Sequence, residues 1–314
     1  NFNKNNVDKL SDSVSGLYGT QWGSSMTNPQ QDYLLRVDSP VGLVRGWVYD
    51  GFYTVDDFTY ENGVYTLKPG VVDIAEGQIM KTLHGIPRGA RPKGQTAYPG
   101  MARFKDIDGD GKAGEADLTV IGDMTPKHTG GFNLNATFKG IDFGAYFNWS
   151  YGNKIYNAHK LASLYNNKDG AVFENKLAIT KNQFRIFDVS NDQITQLTTP
   201  DALRAANTAA SLPYAYNEEP IVSSLGIESG SFLRLNTLTL GYTLPKTITK
   251  KFGVSNLRVY ASIYNVCTIT GYSGLDPEVS TNTSQNKQVY PTLGLDWGAY
   301  PRPRSYVVGL NVSF

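Results

Sequence analysis

The chain has 314 residues, a formal net charge of +1 and one cysteine. This length suits one large domain or two of average size. The near-neutral charge gives no bulk electrostatic case for binding nucleic acid or an anionic membrane surface. The single cysteine, Cys267, excludes an internal disulfide and a multi-cysteine metal site.

No window approaches the roughly 18 uninterrupted apolar residues of a transmembrane helix, so none is predicted. Residues 1–6 also lack the apolar stretch of a signal peptide. The chain is therefore expected to be mature or truncated at its start. Residues 1–10 are interpreted as the end of a strand, and residues 11–130 as a long extracellular excursion that contains a short helix within 71–83.

A calcium-type loop is predicted at residues 106–117, inside this excursion. Its acidic side chains stand at the first, third and fifth positions, glycine at the sixth and a carboxylate at the twelfth. A cation would relieve the repulsion between clustered carboxylates, and a solvated acidic turn is the alternative. The predicted ligands are Asp106, Asp108, Asp110, Lys112 through its carbonyl, and Asp117. We expect bound Ca²⁺ to brace the loop rather than to do chemistry.

Alternating apolar and polar side chains predict the strands that follow. Residues 131–138 and 141–150 alternate on either side of Lys139-Gly140, which has the length and glycine of a tight hairpin turn. Residues 231–242 form a third predicted strand, whose apolar phase shifts near Asn236 and Thr237 and so predicts a β-bulge. Residues 257–263 form a fourth.

The last ten residues are the most regular strand of the chain. Small or polar residues on one face oppose an apolar face made of Tyr306, Val308, Leu310, Val312 and Phe314. This pattern, ending on an aromatic residue, is typical of the barrel-assembly strand that ends an outer-membrane β-barrel. On this segment alone, a half-buried edge strand of a soluble sheet remains an equal alternative.

The links between the strands decide between these readings. Short links at 139–140 and 243–256 alternate with long ones at 151–230 and 267–304. Outer-membrane barrels likewise alternate short periplasmic turns with long outer loops. The predicted fold class is all-β, with residues 131–314 as the last five strands of a large antiparallel transmembrane β-barrel. Because so few strands cannot close a wide barrel, the rest of the wall must lie elsewhere.

No catalytic constellation is evident. The three histidines, His84, His128 and His159, are far apart and have no matched nucleophile or ligand pattern, so the chain is not expected to be an enzyme. Aromatic residues of the long loops are candidate binding contacts, with ordinary loop packing as the alternative. These candidates are Trp22, Trp47, Tyr165, Tyr214 and Trp297.

Several segments in order resemble one family. They are Phe104–Gly111, Ile121–Lys127, Gly131–Leu134, Lys139–Gly144, Phe232–Pro245, Asn256–Tyr260, Gly274–Glu278, Tyr300–Arg304 and the final Phe314. From about residue 100 onward, this series is similar to the C-terminal third of SusC/RagA-type TonB-dependent transporters of Bacteroidetes outer membranes.

The resemblance implies a barrel of about 22 strands around an N-terminal plug. It further implies a SusD-like lipoprotein over the outer mouth, energy from a TonB–ExbB–ExbD complex, and import of oligosaccharides or oligopeptides. The candidate loop aromatics would then contact the cargo or this lid protein. Two other functions stay open: a passive porin, and a secreted calcium-braced β-sandwich that binds glycans.

Overall fold

The computed structural model describes residues 1–11, 14, 16–19, 31–80, 83–165, 176–190, 192–216, 220–279 and 294–314. Strands dominate these residues. They are β1 Gly16–Gly19, β2 Tyr33–Arg36, β3 Leu43–Gly46, β4 Tyr49–Phe52, β5 Phe58–Glu61, β6 Val64–Leu67, β7 Asp73–Ile74, β8 Ala102–Phe104, β9 Lys112–Ala113, β10 Thr119–Asp123, β11 His128–Phe138, β12 Ile141–Tyr151, β13 Lys154–Asn157, β14 Phe187–Ser190, β15 Gln193–Gln196, β16 Ile227–Ser229, β17 Phe232–Thr243, β18 Asn256–Thr270, β19 Leu295–Asp296 and β20 Ser305–Ser313.

The helices are short. The α-helices are α1 Ala158–Leu164, α2 Pro200–Ala206 and α3 Lys246–Thr249, and single 3-10 turns occur at Val55–Asp57, Glu115–Asp117, Ala178–Asn182, Ser224–Gly226 and Lys250–Phe252. In α2 the N-cap hydroxyl of Thr199 accepts from the Ala202 amide, and Pro200 supplies the pre-set first turn. Within the described parts of the chain, no helix is long and apolar enough to cross a membrane.

The largest sheet has the antiparallel order β11-β12-β17-β18-β20. It contains the five strands that alternation predicted. Its longest members exceed the prediction: β18 runs over 15 residues rather than seven, because alternation continues past an irregularity near Asn265. Strands of about 9–11 residues suffice to span a bilayer, and these have 9 to 15.

Local chemistry sets the register of this sheet. Lys139 and Gly140 both have positive φ, 48° and 86°, as a two-residue turn between twisted strands requires, and glycine reaches this region without strain. On β17 the pairing with β18 shifts between Leu235 and Thr237, which is the predicted bulge. The bulge returns the apolar side chains on both sides of Asn236 to one face.

Strand β11, at one edge of the sheet, is paired at its start with the N-terminal residues. Phe2 forms an antiparallel bridge with His128, and the Thr129 amide donates to the Asn1 carbonyl at 2.9 Å. Of the segment 1–10 that was interpreted as a strand end, only this first part joins the sheet.

The long connections fold together above one end of the sheet. A large core contains Trp47, Tyr53, Tyr65 and Phe104 from the first excursion and Phe184, Leu203 and Tyr216 from the link between β12 and β17. Trp47 and Ser223 form a parallel bridge, and the Trp47 amide donates to the Val222 carbonyl at 3.1 Å. We call the described residues within 31–125 and 153–230 the outer region.

One local prediction for the outer region is wrong. Residues 71–80 and 83 contain strand β7 and turns instead of the expected short helix, and residues 81–82 lie outside the described residues. The reason is tertiary: β7 pairs in parallel with β9, and the Asp73 carboxylate accepts from the Ala97 amide at 2.7 Å. These partners satisfy the backbone in an extended form that local propensity did not indicate.

Candidate functional site

The two faces of the five-stranded sheet differ in chemistry. One face carries large apolar side chains that are exposed to the surroundings: Phe132, Leu134, Phe138, Ile141, Phe143, Leu233, Leu240, Tyr242, Val259, Ile269, Tyr306, Val308, Leu310 and Val312. Val308 is 79% exposed and Leu310 is 65% exposed. An apolar surface continuous over five strands is far larger than a soluble monomer usually leaves open. Such a surface has the chemistry of the lipid-facing side of a transmembrane β-barrel.

The opposite face is polar and internally paired. Asp142 of β12 and Arg258 of β18 stand two strands apart and meet above Gly241 of β17. Arg258 donates from Nε and Nη2 to the two carboxylate oxygens, at 2.8 and 2.5 Å. A Cβ at position 241 would lie 2.5 Å from both partners, so the bidentate pair requires a glycine between them. We call this surface the polar face.

A buried arginine ties the last long loop to the polar face. Arg234 of β17 is 1% exposed; it donates to Asp276 Oδ1 at 2.5 Å and to Asn265 Oδ1 at 2.9 Å. Arg234 Nε lies 3.2 Å from Glu278 Oε2 but lacks the alignment of a hydrogen bond. Glu278 is also 3.2 Å from Arg302 on the returning arm of the same loop. We call this cluster the loop latch.

The latch has a defined charge state. Burial raises the pKa of Asp276, but hydrogen bonds from Arg234 and from the Glu278 amide outweigh that effect, so this pKa lies below its ordinary value. The carboxylate is therefore ionised at neutral pH and compensates the buried guanidinium. A buried arginine needs such a partner, because an uncompensated charge in this environment is costly.

A second tie joins the loop to the outer region. Glu228 of β16 accepts from Lys160 Nζ at 3.0 Å and from the Ser273 amide at 2.9 Å. Burial raises the pKa of Glu228, whereas the Ser273 and Lys160 bonds outweigh it and leave it lowered. Together with the hydrogen bond from the Tyr272 hydroxyl to Asp296, these contacts fix both described arms of the loop.

The calcium-type loop has the predicted convergence in part. Carboxylate oxygens of Asp106, Asp108 and Asp117 lie within 4.8 Å of one another, whereas Asp110 is outside this cluster. The Gly111 amide is the main cause that lowers the pKa of Asp106. The Asp110 amide lowers the pKa of Asp108, but desolvation and the carboxylates of Asp110 and Asp117 leave it raised. Hard oxygen donors that repel one another suit Ca²⁺ or Mg²⁺.

Asp117 has a structural role as well. It is 1% exposed and accepts from the amides of Ile107 at 2.5 Å and Gly114 at 2.7 Å. The Asp108 amide also donates to Asp117 Oδ1, at 3.2 Å. The carboxylate thus closes the loop through three backbone donors, and Oδ2 keeps a lone pair for a cation. Lys112, whose carbonyl was predicted as the ligand at the seventh loop position, pairs in β9.

The predicted loop aromatics fall into different environments. Trp47 is fully buried and its indole donates to the Gly114 carbonyl at 2.7 Å; Tyr165 is 5% exposed. These two side chains pack in the outer core and present no surface to a cargo or lid. Tyr214 is half-buried against Tyr216, and Trp297 is 38% exposed. Trp22 lies outside the described residues.

Sequence reasoning did not single out the ion pairs of the polar face. Arg234 and Arg258 each occupy the polar side of a strand whose other side is apolar. An arginine at such a position was the one sequence feature that could have indicated an ion pair on this face. Asp276 lies 42 residues from Arg234, and Asp142 lies 116 residues from Arg258. Only the fold of the loop and of the sheet brings each pair together.

Comparisons with known proteins agree with this geometry. The chain is 29% identical over 312 residues, 99% of its length, to TonB-dependent receptor P3 of Formosa agariphila, and it covers 26% of that protein. It is 40% identical over 96 residues to TonB-dependent receptor SusC of Bacteroides thetaiotaomicron, which is 30% of this chain and 8% of SusC. No family model matches the chain.

Solved structures show the same fold. The RagAB peptide transporter superposes with a TM-score of 0.61 at 21% identity over 100% of this chain and 26% of that one. The RagAB peptide importer in its closed-closed state gives 0.62 at 19% identity, with the same coverage of both chains. The chain thus spans about a quarter of the length of receptor P3 and of these solved structures.

The five-stranded sheet, with its exposed apolar face and its paired polar face, is part of the wall of a large antiparallel transmembrane β-barrel. The chain is a homologue of the TonB-dependent receptors, SusC among them. These relatives are receptors and transporters rather than enzymes.

Proposed function

We propose that the protein containing this chain imports oligosaccharides or oligopeptides across the outer membrane of a Bacteroidetes-like bacterium. Import would depend on TonB and on a SusD-like lipoprotein that covers the outer mouth. The observation that carries this proposal is a sheet with one apolar and one polar face, together with the folded outer region at one end of it. The names of its relatives support the same mechanism.

The residues of the polar face would line the aqueous side of the wall. The Asp142–Arg258 pair and the loop latch keep charged groups mutually neutralised there. A neutralised wall would let a polar cargo pass without being held by an unpaired charge. The loop latch would hold the last loop at the wall, leaving the centre of the barrel to a plug and its cargo.

Uptake by whole cells tests the mechanism. A strain lacking the full-length gene should fail to take up one class of fluorescently labelled oligomer, and the intact gene should restore uptake. Collapse of the proton gradient should abolish the restored uptake. Uptake that survives this collapse would indicate a passive porin, and a protein that stays monomeric without detergent would indicate the β-sandwich module. Mass spectrometry of co-purified oligomers would separate glycan from peptide cargo.

We further propose that the calcium-type loop binds one structural Ca²⁺ through Asp106, Asp108 and Asp117. The convergence of their carboxylate oxygens supports this. Extracellular calcium modules bind with dissociation constants of about 10⁻⁴ to 10⁻³ M. Millimolar CaCl₂ should therefore raise the thermal midpoint of the full-length protein, and EGTA should reverse the shift.

A matched pair of variants isolates the site. Asp106→Asn should remove the calcium-dependent shift, whereas Asp188→Asn, an exposed carboxylate on β14, should retain it. An equal calcium response from both variants would contradict the proposal.

A further inference from the structure

The turn between β17 and β18 is an ordered basic segment at the end of the sheet opposite the outer region. Helix α3 and the 3-10 turn Lys250–Phe252 follow each other, and Gly253 at φ 70° ends them. The Leu244 amide donates to the Leu257 carbonyl, and the Ser255 amide to the Ser313 carbonyl. These bonds hold both ends of the turn on the strands, so its side chains have a fixed place.

Its charge is of one sign. Lys246, Lys250 and Lys251 are all exposed, and residues 243–257 contain no acidic side chain. The adjacent turn adds Lys139, since the Thr243 amide donates to the Gly140 carbonyl. The carboxylate nearest in the neighbouring strand, Asp142, is already paired with Arg258 on the polar face. We call Lys246, Lys250 and Lys251 the basic turn.

The basic turn is continuous with the apolar face. Ile248 is 46% and Phe252 76% exposed. Beside them, the end of the sheet carries exposed Phe138 and Tyr242, and the opposite end carries exposed Tyr151 and Tyr306. Aromatic residues at both ends of an apolar band mark the two membrane interfaces, which places the basic turn at headgroup level.

This combination distinguishes the turn from an ordinary solvated one. Lysines alone would be satisfied by water, but an exposed Phe252 beside them would not. At an interface both are accommodated, because the ring enters the acyl boundary while the ammonium groups reach the headgroups. Each lysine near an anionic lipid surface adds attraction, and the attraction falls off within a Debye length.

We propose that the basic turn binds the phosphate groups of anionic phospholipids in the leaflet that meets this end of the barrel. The inference rests on the proposed function, in that the sheet must lie in a membrane. Beyond that function, it names the class of lipid that the turn binds. The net charge of the chain, which is only +1, does not predict this binding.

Fluorescence quenching by brominated lipids tests the inference. The full-length protein carrying Phe252→Trp is reconstituted in vesicles of phosphatidylcholine mixed with brominated phosphatidylglycerol or brominated phosphatidylcholine. The parent protein with Phe252 is measured in parallel, and the difference isolates the introduced indole. We expect phosphatidylglycerol to be preferred at this site by about tenfold at low salt, and this preference should fall in 0.5 M NaCl.

Two triple variants in this background assign the preference. Replacing Lys246, Lys250 and Lys251 with Gln should bring the preference to about one. Replacing the exposed outer-region lysines Lys93, Lys105 and Lys181 with Gln removes the same charge and should leave the preference unchanged.

The outcomes separate the two proposals. Equal quenching by both lipids, or a preference that survives the basic-turn substitutions, overturns the lipid inference while the membrane location stands. An indole that neither lipid quenches overturns the lipid inference and contradicts the membrane location itself.

Discussion

The sheet and the outer region solve the burial problem in opposite ways. In the outer region, aromatic side chains such as Trp47, Tyr65 and Phe104 are inside, within one core. In the sheet, Val308, Leu310 and Tyr306 point outward and stay exposed. The outer region therefore supplies its own apolar environment, whereas the sheet depends on an external one. Two regions of one chain with similar residue types thus require different solvents, and the pattern of burial reveals this where composition does not.

The largest effect is expected from emptying the outer core. Trp47→Ala removes a fully buried indole and its hydrogen bond to Gly114, and should destabilise the outer region by about 4 kcal/mol. Hydrogen exchange should increase in residues 47–113 and 200–216 while the sheet stays protected. Trp297→Ala removes an indole outside this core and is the control; it should leave exchange in these two segments unchanged. Equal protection in both variants would contradict a separate outer core.

The next effect concerns the contact between the loop and the sheet. Arg234→Ala leaves Asp276 buried without its partner and should cost about 3 kcal/mol. Limited proteolysis should then cut residues 271–304 faster, with cleavage in the outer region unchanged. Arg302→Ala removes a more exposed member of the cluster and should have a smaller effect. If both variants resist the protease like the parent, the latch does not hold the loop.

A charge on the sheet tests the need for an external apolar solvent. Leu240→Arg places a cation on the apolar face and should cost about 2 to 3 kcal/mol for folding into a bilayer. Thr239→Arg places the same charge on the polar face, one residue away, and should be tolerated better. Urea titration of the full-length protein in lipid vesicles gives both values. A larger penalty at Thr239 would reverse the assignment of the two faces.

The smallest effect is an acid sensitivity of the loop latch. The pKa of Asp276 is lowered in the folded protein, so its stabilising contribution is present above the unfolded pKa, about 3.9, and is lost as pH falls through the folded value. Protease cleavage of residues 271–304 should therefore accelerate below about pH 4. Arg234→Ala should show a weaker pH dependence, because Asp276 no longer has the partner that lowers its pKa. An unchanged profile in that variant would assign the acid response to other groups.

Local patterns anticipated much of the sheet. The hairpin at Lys139-Gly140 and the bulge at Asn236 were readable because turn chemistry and a shift of alternation are properties of neighbouring residues. The strand at 73–74 in place of a helix was not readable, because its pairing partner, Lys112–Ala113, lies nearly forty residues further along the chain. The calcium-type loop could likewise be predicted only in part. The spacing of Asp106 and Asp108 is visible in the sequence, but the position of Asp110 outside the carboxylate cluster is not.

The sequence by itself determined which side chains share a face of each strand, since a residue's face depends only on its parity along an extended chain. It also determined where the tight turns fall. Only the tertiary structure decided that the long links share one core, that Trp47 and Tyr165 lie inside it, and that Arg234 meets Asp276. Those contacts join residues far apart in the chain, and their energies depend on burial, which no local pattern encodes.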